Sequence, residues 1–108
     1  MAHDEALARR LRDDLAGVAI VEKKMFGGLA FMHRGHMLCG LHRGGGMFRV
    51  GKARMAEALK VPGAARMAMG DRVMGGMAEA PADVVADDAR RGVLLALALA
   101  FNGEQAAK

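Results

Sequence analysis

The sequence predicts an α+β fold in two layers, an antiparallel sheet covered by helices on one face, in the order helix, three strands, helix, two strands, helix. Three features dictate this reading. Apolar residues recur at three- and four-residue spacing near both ends of the chain, the period of a helix lying on a core. Between the ends, short apolar runs rich in β-branched and aromatic residues are split by two-residue turns containing glycine, as in hairpins. Val61-Pro62-Gly63 and Pro81 punctuate the second half, where proline halts a helix or a strand.

At the start, Asp4 caps a helix over about residues 5–16, in which Leu7, Leu11 and Leu15 recur every fourth position with Ala8 alongside, and Gly17 ends it. Its outer face of Arg9, Arg10, Arg12, Asp13 and Asp14 is mixed in sign and reads as solvated surface. Residues 19–25, 29–33 and 36–41 read as strands. Gly27-Gly28 makes a bend or bulge between the first two, and Arg34-Gly35 a tight turn between the last two. After Gly44-Gly45-Gly46, read as a mobile loop, residues 47–50 give a short further extended stretch.

Residues 52–59 have helical composition, with Met55 and Leu59 four apart, up to Val61-Pro62-Gly63. Met67 and Met69 alternate with small residues, Gly70-Asp71 turns the chain, and residues 73–78 return as a strand. An aspartate at 83, 87 or 88 caps the last helix, whose Val93, Leu94, Leu97 and Phe101 share a face before Gly103. The tail from Glu104 frays.

With 108 residues, 53% of them hydrophobic and 26% charged, the chain reads as a single folded domain over residues 1–108. The lone Cys39 forms no internal disulfide, and the first residues lack the apolar core of a signal peptide, so a cytoplasmic location is expected. The longest apolar run covers residues 93–101, about half of the roughly 20 residues that cross a bilayer. The formal charge of +4 permits contact with nucleic acid without demanding it. Ten methionines with no Trp or Tyr predict a loosely packed interior, because unbranched Met specifies shape poorly.

The block Lys23-Lys24-Met25-Phe26-Gly27-Gly28-Leu29-Ala30-Phe31-Met32, with Gly35, Met37, Arg49-Val50, Arg72, Met74, Gly75 or Gly76 and Ala98-Leu99-Ala100-Phe101, resembles the N-terminal domain of the TfoX/Sxy family over about residues 5–101. The resemblance implies a two-layer α+β fold and a link, in some bacteria, to regulation of natural competence for DNA uptake. Full-length relatives carry a C-terminal helical domain, so a stand-alone N-terminal domain is expected here. Two departures stand out: Arg34-Gly35 where the family usually has Asn-Gly, and Met77 and Leu94 where it has aromatic residues.

His33, His36, Cys39 and His42 lie three apart and invite a metal reading. Strand alternation argues against it: His33 and His36 pair across the turn, His42 shares their face at a distance of roughly 20 Å, and Cys39 points the other way. No metal and no cofactor are expected, and Cys39 reads as a small buried apolar residue. Neither glycine cluster leads into Lys-Ser/Thr or a Gly-x-Gly-x-x-Gly unit, so no phosphate loop is present. Ser, Thr and Tyr are absent, which removes hydroxyl nucleophiles, so no enzyme activity is expected.

The leading expectation is a non-enzymatic regulatory or adaptor module that docks a protein, or a second copy in a homodimer, through a sheet face or edge. Its contact residues would be Lys23, Lys24, Met25, Phe26, Gly27, Gly28, Met32 and Met37. Leu29, Phe31 and Leu38 are placed on one face of the sheet, and Met32, Met37 and Leu41 on the other. The alternative is a non-specific nucleic-acid-binding regulator with a basic rim of Lys23, Lys24, Arg34, Arg43, Arg49 and Lys52, joined by Arg54.

Overall fold

Asp4 opens the first helix as the sequence predicts: its Oδ1 accepts the Ala6 N–H at 2.8 Å, satisfying a donor that the first turn leaves free. In the computed structural model, which describes residues 4–25 and 27–107, the chain runs α1 (Glu5–Asp14), β1 (Val21–Met25), β2 (Gly28–His33), β3 (His36–His42) and β4 (Gly45–Arg49). A 3-10 turn (Lys52–Arg54) leads into α2 (Met55–Ala58). Then follow β5 (Ala65–Met69), β6 (Arg72–Pro81), α3 (Ala82–Ala86) and α4 (Asp88–Glu104). All six strands form one antiparallel sheet in the order β1-β2-β3-β4-β6-β5.

The α+β class and the one-sided cover are as expected, but three details of the order differ. The short stretch after the triple glycine is a full fourth strand. Gly45 and Gly46 lie inside β4, paired with Pro81 and Ala80 of β6, and both are buried. A Cβ on Gly45 would run into the Ala80 carbonyl oxygen, so these glycines permit close strand approach instead of forming a mobile loop. The second helix shortens to a 3-10 turn and one α-helical turn. A short extra helix, α3, precedes the last one, which begins at one of its expected caps: Asp87 accepts from the Ala89 and Arg90 N–H groups at 3.0 and 3.1 Å.

The hairpin joining β2 and β3 turns through Arg34 (φ 57°) and Gly35 (φ 83°), both left-handed, as a turn of type I′ requires. Just beyond it lies a feature hidden in the sequence. Phe31 faces Cys39, yet the next pair is Met32 with Met37, so Leu38 is an extra residue, a β-bulge. The bulge shifts the alternation. Leu41 pairs with Leu29 and joins Phe31, Leu38 and Cys39 against the helices, which corrects its expected place beside Met37. Cys39 falls on the face of His33 and His36, and His42 falls on the opposite one, reversing the predicted arrangement.

Between sheet and helices, Leu7, Leu11 and Leu15 of the first helical segment meet Phe31, Leu41 and Phe48 of the sheet and Val84, Leu94 and Ala98 of α3 and α4. Each large side chain so buried contributes about 1.5–3 kcal/mol. Among the described methionines only Met55 belongs to this core, so the interior is built of Leu, Val, Ala and Phe and the expected methionine-filled core is not found. Arg91 sits within it, 4% exposed. It donates to Asp14 Oδ2 at 2.7 Å, to the Val85 carbonyl at 2.9 Å and to Asp88 Oδ1 at 2.8 Å, tying α4 to α1 and α3.

Candidate docking face

With helices on one side only, the other side of the sheet is finished by its own side chains. Cross-strand register places on it Lys23 and Met25 of β1, Ala30 and Met32 of β2, and Met37 and Gly40 of β3. Met47 and Arg49 of β4 and Met77 and Glu79 of β6 continue the row. Gly40 is the low point. A Cβ there would stand 2.9 Å from Met37 Cε and 3.1 Å from Met47 Cε, so the two thioethers fold over the space that the glycine leaves. Met25, Met37, Met47, Met67, Met74 and Met77 together line a cavity of about 430 Å3.

The cavity has two unlike ends. At one, His42 Nε2 lies 3.5 Å from Glu79 Oε2, while its Nδ1 accepts the Gly44 N–H at 3.0 Å. At the other, Met37, Met74 and Met77 continue into a second cavity of about 880 Å3 bounded by Arg49, Lys52 and Arg72. The Arg49 guanidinium lies over the Phe101 ring, and the Lys52 stem lies close to Gly75, where a Cβ would come 2.9 Å from Lys52 Cε.

Of the predicted contact residues, Met25 and Met37 join this cavity. Met32 shares the face but opens onto a separate shallow cavity with Val21, Lys23 and Arg34. Phe26 lies outside the described residues. Gly27 (φ 75°) serves the turn between β1 and β2, and Gly28 is packed against the Leu41 carbonyl, where no Cβ fits. Lys23 and Lys24 are exposed on the edge strand β1, on opposite faces. Arg34 donates to the Asn102 carbonyl at 2.6 Å, and Arg43 is exposed in the β3–β4 turn. The six predicted basic residues therefore form no single rim: Lys23 and Arg34 border the cavity beside Met32, and Arg49 and Lys52 come together elsewhere, joined by Arg72.

Met47, Met67, Met74, Met77, Arg72, His42 and Glu79 were missed by sequence reasoning. Period-two alternation was their only local signal, and joining them needs the β4-β6-β5 order. Cys39 is fully buried, and burial pushes its thiol up to about 12, far from the thiolate that nucleophilic chemistry needs. Among the described residues no three His, Cys, Asp or Glu side chains converge as a metal site.

A small α+β domain whose six-stranded antiparallel sheet is covered by helices on one side is the class that this architecture defines. The chain belongs to the TfoX N-terminal domain family, whose family model matches residues 14–102. That family is linked to competence regulation and is a regulatory family, not a known enzyme family. No curated protein and no solved structure matches the chain at a significant level. Among the described residues no helix is long and apolar enough to cross a membrane.

Proposed function

We propose that this domain is a non-enzymatic, cytoplasmic regulatory or adaptor module that works by docking another protein onto the open face of its sheet. The observation that supports this is the methionine cavity itself: six thioether side chains, drawn from five strands, gathered outside the core. Methionine is flexible and polarizable, which suits it to adaptable binding surfaces better than to fixed packing. The family's regulatory character agrees with this reading.

Exposure of both Lys23 and Lys24 on β1 favours a second reading, non-specific contact with nucleic acid. Photoreactive methionine incorporated in cells tests the two. Docking on this face predicts a protein cross-link that is lost in Met47→Asp and kept when Lys23 and Lys24 are both changed to Glu. Binding to a DNA duplex that falls linearly on a log–log salt plot and vanishes in the double Glu variant, without such a cross-link, would support the second reading instead.

A further inference from the structure

Arg49, Lys52 and Arg72 differ from the ion-paired cations of the fold. Arg12 is held by Glu5 and Glu22, Arg54 by Glu104, Arg90 by Asp87 and Arg91 by Asp14. Among the described residues, Arg49, Lys52 and Arg72 have no carboxylate partner, and no acidic side chain lines the cavity they bound. This unneutralised charge adjoins an almost wholly apolar trough. The two cavities share Met37, Met74 and Met77, so one continuous surface runs along β3, β4 and β6 from a basic end to the Glu79 end.

We infer that the partner docked on this face presents an amphipathic segment, apolar along one side and carrying carboxylates at one end, with that acidic end over Arg49, Lys52 and Arg72. The inference rests on the docking reading above and names its partner's chemistry. Width favours a helix over a single acyl chain: the methionines span the sheet from β1 to β5, neighbouring strands lie about 4.8 Å apart, and a helix with its side chains is about 10–12 Å across. Charge favours a foreign acidic segment over a second copy. Each copy carries +4, and Glu79, the carboxylate it would offer from this face, already lies beside its own His42.

The test uses the whole chain labelled with 13C at its methionine methyls, titrated with two helix-forming leucine–alanine peptides, one ending in glutamates and the other in lysines. The expected result is that the glutamate peptide shifts the Met37, Met47 and Met77 methyls and binds about tenfold more tightly than the lysine peptide. Arg72→Glu, at an exposed position, reverses that order while the backbone amide spectrum stays native. Equal binding of both peptides at these methyls would overturn the inference and leave the docking reading standing. Methyl shifts that depend on protein concentration alone, with a dimer on sizing, would replace the acidic segment by a second copy. Shifts with sodium laurate and with neither peptide, or no shift with any probe, would remove both the inference and the docking reading.

Discussion

The Arg49 guanidinium carbon stands 5.9 Å from the centre of the Phe101 ring, so a side chain on the open face of the sheet rests on the helix that covers the other face. Such a cation–π contact contributes about 0.5–1 kcal/mol at an exposed site. The same ring presses on Gly51, whose φ of 82° suits glycine and where a Cβ would collide with the ring edge. The C-terminal turns of α4 thereby position the basic end of the candidate docking face.

A mutant cycle follows from that contact. Gly51→Ala is expected to cost about 3 kcal/mol, through both left-handed strain and collision. Phe101→Ala costs about 2 kcal/mol for a half-buried ring. In the double variant the collision disappears and only the strain remains, so urea midpoints will show a loss at least about 1 kcal/mol smaller than the sum. Strict additivity would mean that the ring does not contact position 51.

Arg91 provides a second test, since three acceptors converge on one guanidinium beneath the α1–α3–α4 junction. Its pKa is raised first by the hydrogen bond to Asp14, so it stays charged throughout the working range. Arg91→Ala leaves the Val85 carbonyl without this donor and releases α1, at a cost of about 2 kcal/mol in chemical unfolding. Asp14→Ala should cost less, because Asp88 and Val85 still hold the guanidinium. A larger loss for Asp14 than for Arg91 would contradict this arrangement.

Acid sensitivity should concentrate at the two ends of α4. Asp87 is held below the usual carboxylate range by the Arg90 N–H and side chain, and Glu104 by its hydrogen bond to Arg54. Folded values below unfolded ones mean that their stabilisation is present above the ordinary carboxylate range and is lost as pH falls from that range through the lower folded values. Asp87→Ala should lower the melting temperature at neutral pH and flatten its decline in acid. A variant declining as steeply as the parent would show that Asp87 is not a principal source of the acid dependence.

Cys39 should behave as a hydrocarbon. With its side chain fully buried and its thiol pushed up to about 12, it will not react with a water-soluble disulfide reagent at mildly alkaline pH until the protein unfolds. The rate of modification should match the unfolding rate and rise with urea. Immediate labelling of the native protein would refute the placement of β3.

Local signals made much of the fold legible. Asp4 as a cap, the Arg34-Gly35 turn, the leucine period of α1 and the apolar face of α4 all depend on neighbours within a few residues. The bulge at Leu38 is not local. It exists because Cys39 pairs with Phe31 across the sheet, and nothing in Met37-Leu38-Cys39-Gly40 announces it. That one residue misplaced Leu41 and reversed the relation of Cys39 and His42 to the hairpin histidines. The start of β4, ahead of the expected extended stretch at residues 47–50, was hidden for a related reason: Gly45 and Gly46 carry no side-chain pattern, and their strand role arises from β6, more than thirty residues later. At the candidate site, Met25, Met32 and Met37 were visible on their strands, whereas Met47, Met67, Met74 and Met77 join them only through the order of the sheet.

The one-sided cover of the sheet divides the chain into two sets of residues under different packing constraints. Those facing the helices, such as Phe31, Leu41 and Phe48, must satisfy one another, so change there has to be concerted. Those facing outward answer mainly to whatever they meet. An outer side chain can therefore be exchanged singly while the scaffold beneath it stays unchanged.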